Sequence, residues 1–127
     1  MTEHSPAGLR VLVVEDEMLI AVLIEEMLQG LGCHVVGPVS RLDAALRLAH
    51  EEPLDAAILD VRIRGGQVYP VAEELLPRNI PFVLASGYGD WAPREPPRPA
   101  ALDQAFPAAR PEKQVRLLMA KATASTS

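Results

Sequence analysis

Three acidic side chains in this sequence stand where an apolar run stops. Glu15 and Asp16, with Glu17 behind them, follow Val11, Leu12, Val13 and Val14 without a break, and Asp60 closes the run from Ala56 to Leu59. Like charges this close repel one another unless something positive joins them. A hydroxyl, that of Ser86, ends a further apolar run from Phe82 to Ala85. Ligands that offer only oxygen suit a hard divalent cation, and Mg²⁺ characteristically takes one or two carboxylates, keeps several waters and bridges to phosphate. The expectation is that Mg²⁺ sits among these carboxylates and lets them tolerate one another.

For that to happen, the segments ahead of them must lie side by side. After a polar leader, residues 1–8, the run Leu9 to Val14 reads as a buried strand. The period then changes: Ile20, Leu23, Ile24, Met27, Leu28 and Leu31 form an apolar stripe down a helix, with Gly32 as its stop. Val35 to Val39 is a second strand. Ser40, followed three residues later by Asp43, predicts a helix N-cap, with Leu42, Ala45, Leu46 and Ala49 behind it and Pro53 as the barrier. Ala56 to Leu59 is the third strand. Val61 to Gln67 reads as a loop freed by Gly65-Gly66, and Pro70 sits near the start of a helix carrying Val71, Leu75 and Leu76. Pro81 opens a fourth strand, Phe82 to Ala85, and Pro111 begins a last helix with Val115, Leu118, Met119 and Ala122 on one face.

Strands alternating with helices imply a parallel sheet covered on both faces, and such sheets bind ligands outside the carboxyl ends of their strands. Glu15, Asp16, Asp60 and Ser86 all fall on that rim. The difficult stretch is "WAPREPPRPAALDQAF", residues 91–106, where four prolines in nine residues forbid an ordinary helix. A thin fifth strand falls near Ala101 to Gln104.

The totals allow one domain. The chain has 127 residues, 49% of them apolar and 23% charged, a globular rather than disordered composition. Residues 1–60 hold eleven acids against three arginines, net −8, and residues 61–127 hold six acids against nine bases, net +3. Folding can lay these halves against each other, so the split does not argue for nucleic acid. No apolar run is long enough to span a membrane and no signal peptide opens the chain, so the cytoplasm is expected. The lone Cys33 fits a reducing compartment. His4, His34 and His50, read as lying in a tail, a turn and a helix end, have no partner spacing. Gly65-Gly66 does not fit a phosphate-binding P-loop, and "LASGYG" lacks the first glycine of a serine-hydrolase elbow.

"VLVVEDE", "AILDVRIRGG" and "VLASGYG", at these intervals, resemble the receiver domain of two-component response regulators. The resemblance spans residues 9–122, leaving 1–8 as leader and 123–127 as tail. It implies a flavodoxin-like, doubly wound α/β fold with five parallel strands in the order 2-1-3-4-5. The "SGYG" segment is most similar to single-domain bacterial receivers whose fourth helix is shortened or absent. Carried over, Asp60 accepts a phosphoryl group from a sensor histidine kinase or a histidine phosphotransfer protein. Asp16, Asp60 and the backbone carbonyl of Arg62 bind Mg²⁺ directly, Glu15 binds it through water, and Ser86 is the switch hydroxyl.

The pattern breaks at one place. Gln104 stands where the family has a lysine and Ala105 where it has proline, while Phe106 matches the aromatic. A unit charge missing ~4 Å from the phosphoryl group costs about 4 kcal/mol of attraction at an effective dielectric of 20. Arg62 is a candidate to compensate, its alternative being a surface arginine at the pocket mouth; Lys113 is expected to face solvent. Ala101 replaces the family's moving aromatic, a role Tyr88 is able to take. Glu17 reads as a first-turn acid favoured by the helix dipole.

Three functions compete. The leading expectation is a stand-alone phosphoacceptor module that is not an enzyme and signals to an unknown downstream protein through contacts, with a homodimer left open. The alternative is a pseudo-receiver, a phosphorylation-independent interaction module, because of Gln104. A phosphoaspartyl phosphatase ranks third, since Arg62 occupies the place of its second aspartate.

Overall fold

The computed structural model describes residues 7–85 and 111–124. In chain order they form β1 (Arg10–Val14), α1 (Met18–Gly30), β2 (His34–Val39), α2 (Leu42–Glu51), β3 (Ala56–Asp60), β4 (Arg62–Ile63), β5 (Gly66–Gln67), α3 (Tyr69–Leu75), a 3-10 turn (Leu76–Arg78), β6 (Phe82–Ala85) and α4 (Pro111–Ala124). The main sheet runs β2-β1-β3-β6, all parallel. This matches the expected order over its first four strands. The proposed fifth strand, the shortened fourth helix, Ser86, Tyr88, Ala101, Gln104 and Phe106 lie outside the described residues, as does His4.

The sheet is buried on both faces, and the period of two shows how. Leu12, Val14, Ala57, Leu59, Phe82 and Leu84 point to the side covered by α2 and α3. Val11, Val13, Ala56, Ile58 and Val83 point to the side covered by α1 and α4. Strands with no solvent face read as unbroken apolar runs, which is why β1, β3 and β6 were visible in sequence.

Five expectations need correcting in detail. In α1 the buried residues are Ala21, Ile24 and Leu28, while Leu23 and Leu31 are 45% and 41% exposed. The buried face runs through the small Ala21, and the wider apolar stripe is partly outward. Gly32 does end the helix: at φ +88° it lets its own N–H reach Gln29 O and the Cys33 N–H reach Leu28 O. The N-cap of α2 is Arg41 rather than Ser40, without a side-chain cap; the free Leu42 N–H is met by the Arg64 carbonyl at 2.8 Å. Glu17 is the N-cap of α1 and not a first-turn residue. The segment read as a loop contains a hairpin, with Arg62 opposite Gln67 and Ile63 opposite Gly66. Gly65 and Gly66 carry its turn at φ +97° and +139°. His34 opens β2 rather than lying in a turn.

The proline readings agree with the structure: Pro70 in the first turn of α3, Pro81 just before β6, and Pro111 at the start of α4. Among the described residues no helix is long and apolar enough to cross a membrane.

Candidate functional site

Strand β1 has β2 on one side and β3 on the other, so the connections leave it in opposite directions and a crevice opens beyond the carboxyl ends of β1 and β3. Glu15 and Asp60 lie at that crevice. They are the buried polar or charged side chains among the described residues, at 4% and 7% exposure. Local backbone fixes both. The register between β1 and β2 shifts after Leu12, where Gly37 takes φ +101° on β2, and the Glu15 N–H then reaches the Val39 carbonyl at 2.9 Å. Asp60 pairs with Ala85 of β6 at the end of β3.

The two carboxyl groups hydrogen-bond each other. Asp60 Oδ2 also accepts from the Asp16 N–H at 3.4 Å, and the Arg62 N–H donates to the same carboxylate. Glu15 Oε2 accepts from the Glu17 N–H at 3.0 Å. Burial, followed by the negative charge of Asp60, pushes the Glu15 carboxyl up to about 8. Burial raises Asp60 as well, against the lowering effect of its hydrogen bonds with Glu15, Asp16 and Arg62. The charge of Asp60 therefore opposes the ionisation of Glu15.

Asp16 stands apart from this pair by its side chain. Its backbone touches Asp60, but its carboxylate faces outward and pairs with Arg64 Nε at 3.4 Å. The structure thus brings Glu15 and Asp60 together and sets the Asp16 carboxylate at the edge. Among the described residues no three His, Cys, Asp or Glu side chains form a ready-made metal cage. The donors nevertheless suit Mg²⁺, which needs only one or two carboxylates and retains its waters.

Arg62 lies in β4 with an exposed side chain. His34 and His50 are exposed, and His50 faces Glu74 of α3 at 3.2 Å, so neither belongs to the site. The residue missed in sequence is Arg64. Its signal was the double glycine that follows it, which marked a turn but not the hairpin that aims Arg64 at the acids.

No family model matches the chain. It resembles the magnesium-bound receiver domain of sensor histidine kinase PA1611 from Pseudomonas aeruginosa PAO1, at TM-score 0.72 and 24% identity over 93% of this chain and 99% of that one, a likeness of fold. The phyllosphere-induced regulator PhyR of Methylorubrum extorquens is 30% identical over 96 residues, covering 72% of this chain and 36% of PhyR. SdrG from Sphingomonas melonis Fr1 is 36% identical, with 94% of this chain and 98% of SdrG covered, at TM-score 0.69. The chain belongs to the response-regulator receiver family. SdrG has also been solved in a BeF3-activated conformation, which this receiver matches at TM-score 0.64. The receiver spans about a third of the length of the curated relatives it matches. Its relatives are signalling proteins.

Proposed function

We propose that this receiver is a cytoplasmic phosphoacceptor module, modified on Asp60 by a phosphohistidine of a sensor histidine kinase or histidine phosphotransfer protein. The observation that carries this is the placement of Asp60: a carboxylate 7% exposed at the end of a central strand, beside a second buried acid, with excess negative charge at the rim. A purely structural aspartate gains nothing from such a neighbour.

In the transfer, an Asp60 oxygen forms the new O–P bond as the N–P bond of the phosphohistidine breaks; the imidazole keeps that electron pair and takes up a proton. The N–H groups of Asp16 and Arg62 hold the acceptor carboxylate in one orientation, so little entropy is lost in aligning it. Mg²⁺ would be held by Asp16, Asp60 and the Arg62 carbonyl, with Glu15 through water. When bound, it supplies the positive charge that offsets repulsion between a carboxylate and an incoming phosphoryl group. Ser86 would donate to the phosphoryl oxygens and draw its segment inward, and the signal would leave through protein contacts.

A second reading, the pseudo-receiver, is favoured by one feature of the sequence: the uncharged Gln104 stands where the family has a lysine. Intact mass after incubation with Mg²⁺ and a small phosphodonor separates the two. A phosphoryl mass gain in the native chain that disappears in Asp60→Ala is the expected result. No gain in either chain would leave the pseudo-receiver standing, and continuous turnover of a phosphate ester would favour the phosphatase.

A further inference from the structure

Among the described residues, Arg64 makes an ion pair at this rim, with Asp16. Its Nε lies 3.4 Å from Asp16 Oδ1, and the Asp16 N–H lies 3.4 Å from Asp60 Oδ2, so one residue separates the guanidinium from the acceptor carboxylate. The backbone of Arg64 is clamped. Its N–H donates to the Ser40 carbonyl at 3.0 Å, its carbonyl accepts from the Leu42 N–H at 2.8 Å, and it bridges Arg41 in parallel. The turn cannot be rebuilt cheaply, because a Cβ on Gly65 would stand 3.3 Å from that of Leu42 and the residue is already at φ +97°. The side chain is different: at 70% exposure it is free to swing.

We propose that Arg64 is the cation that serves phosphorylated Asp60, parked on the Asp16 carboxylate until the metal takes that carboxylate over. This rests on the phosphoacceptor reading above. On phosphorylation the single charge of the Asp60 carboxylate gives way to about 1.5 to 2 negative charges on the phosphoryl group, which together with Glu15 and Asp16 exceed what one divalent ion offsets. A guanidinium presents paired N–H donors that match phosphoryl oxygens, and it stays charged at every physiological pH. A metal bound by Asp16 repels Arg64 from its parked position, and the phosphoryl oxygens are the nearest new anion. Arg64 thus acts twice, as a competitor of the metal and as a partner of the product.

The test uses the full chain and its Arg64→Gln, Arg64→Lys and Arg47→Gln variants, the last removing an exposed charge from α2. Calorimetry measures Mg²⁺ affinity, and NMR titration at saturating Mg²⁺ measures beryllofluoride affinity. Amide spectra confirm that each variant is folded. Arg64→Gln is expected to bind Mg²⁺ roughly two- to fivefold more tightly, the worth of an exposed ion pair, and beryllofluoride roughly tenfold more weakly, the low end for a charged hydrogen bond. Arg64→Lys should recover part of the second loss, and Arg47→Gln should show neither change. Unchanged beryllofluoride affinity in Arg64→Gln, or an equal loss in Arg47→Gln, overturns the assignment of Arg64 while leaving the receiver reading intact. A native chain that takes up neither Mg²⁺ nor beryllofluoride overturns both.

Discussion

Replacing Asp60 with asparagine should stabilise this protein without metal and remove its response to metal. Asp60 faces Glu15 with both side chains almost wholly buried, at 7% and 4% exposure. Two full charges ~4 Å apart would repel by about 4 kcal/mol at an effective dielectric of 20. Burial and this repulsion push the Glu15 carboxyl up, and the Asp60 carboxylate accepts from the neutral N–H groups of Asp16 and Arg62. Asparagine keeps an oxygen for the Asp16 and Arg62 N–H groups and offers Glu15 an N–H, so the metal-free gain is on the order of 1–2 kcal/mol. Mg²⁺ at ten times its Kd stabilises the native chain by about 1.4 kcal/mol through mass action. For a chain of 127 residues that is about 5 °C in Tm. Thermal melts of both proteins in EDTA and in a Mg²⁺ series should therefore converge as metal is added, the variant starting higher and staying flat. A variant that melts lower than the native chain in EDTA, or that gains as much from Mg²⁺, would refute the electrostatic account of the site.

The same acid pair predicts a pH dependence. Glu15 is raised from 4.5 to about 8 on folding, so the native state binds more protons than the unfolded chain across that window and metal-free stability should fall as pH rises through it. After allowing for solvent at the rim, the loss is about 2 kcal/mol; urea titrations at pH 5 and pH 8.5 measure it, and Glu15→Gln should flatten the profile. Ile58, fully buried between β3 and the α1–α4 layer, should cost roughly 2–5 kcal/mol on truncation to alanine, read from the urea midpoint. A loss below about 1 kcal/mol would mean that this layer is loosely packed.

How legible these features were in sequence follows from how each is held. β1, β3 and β6 announced themselves because burial on both faces leaves no polar residue to interrupt Leu12, Ile58 or Val83. The acids were legible because each ends such a run. The face of α1 was harder: Leu23 and Ala21 differ in size, and size favours Leu23, yet the buried face runs through Ala21. The Ser40 cap failed because a distant carbonyl, that of Arg64, met the helix N–H instead. The β4–β5 hairpin has strands of two residues each, too short for any period to register. The ion pair of Arg64 with Asp16 was hidden with it.

Strand β3 is flanked by β1 and β6 along its length, and every one of its residues is buried. Its amides belong to the class that exchanges with solvent only when the whole domain opens. Asp60, the proposed acceptor, is therefore bolted to a strand paired on both sides, an anvil rather than a lever. On the phosphoacceptor reading, whatever a partner recognises must be rearranged around that fixed point, by the segments that approach it from outside the sheet.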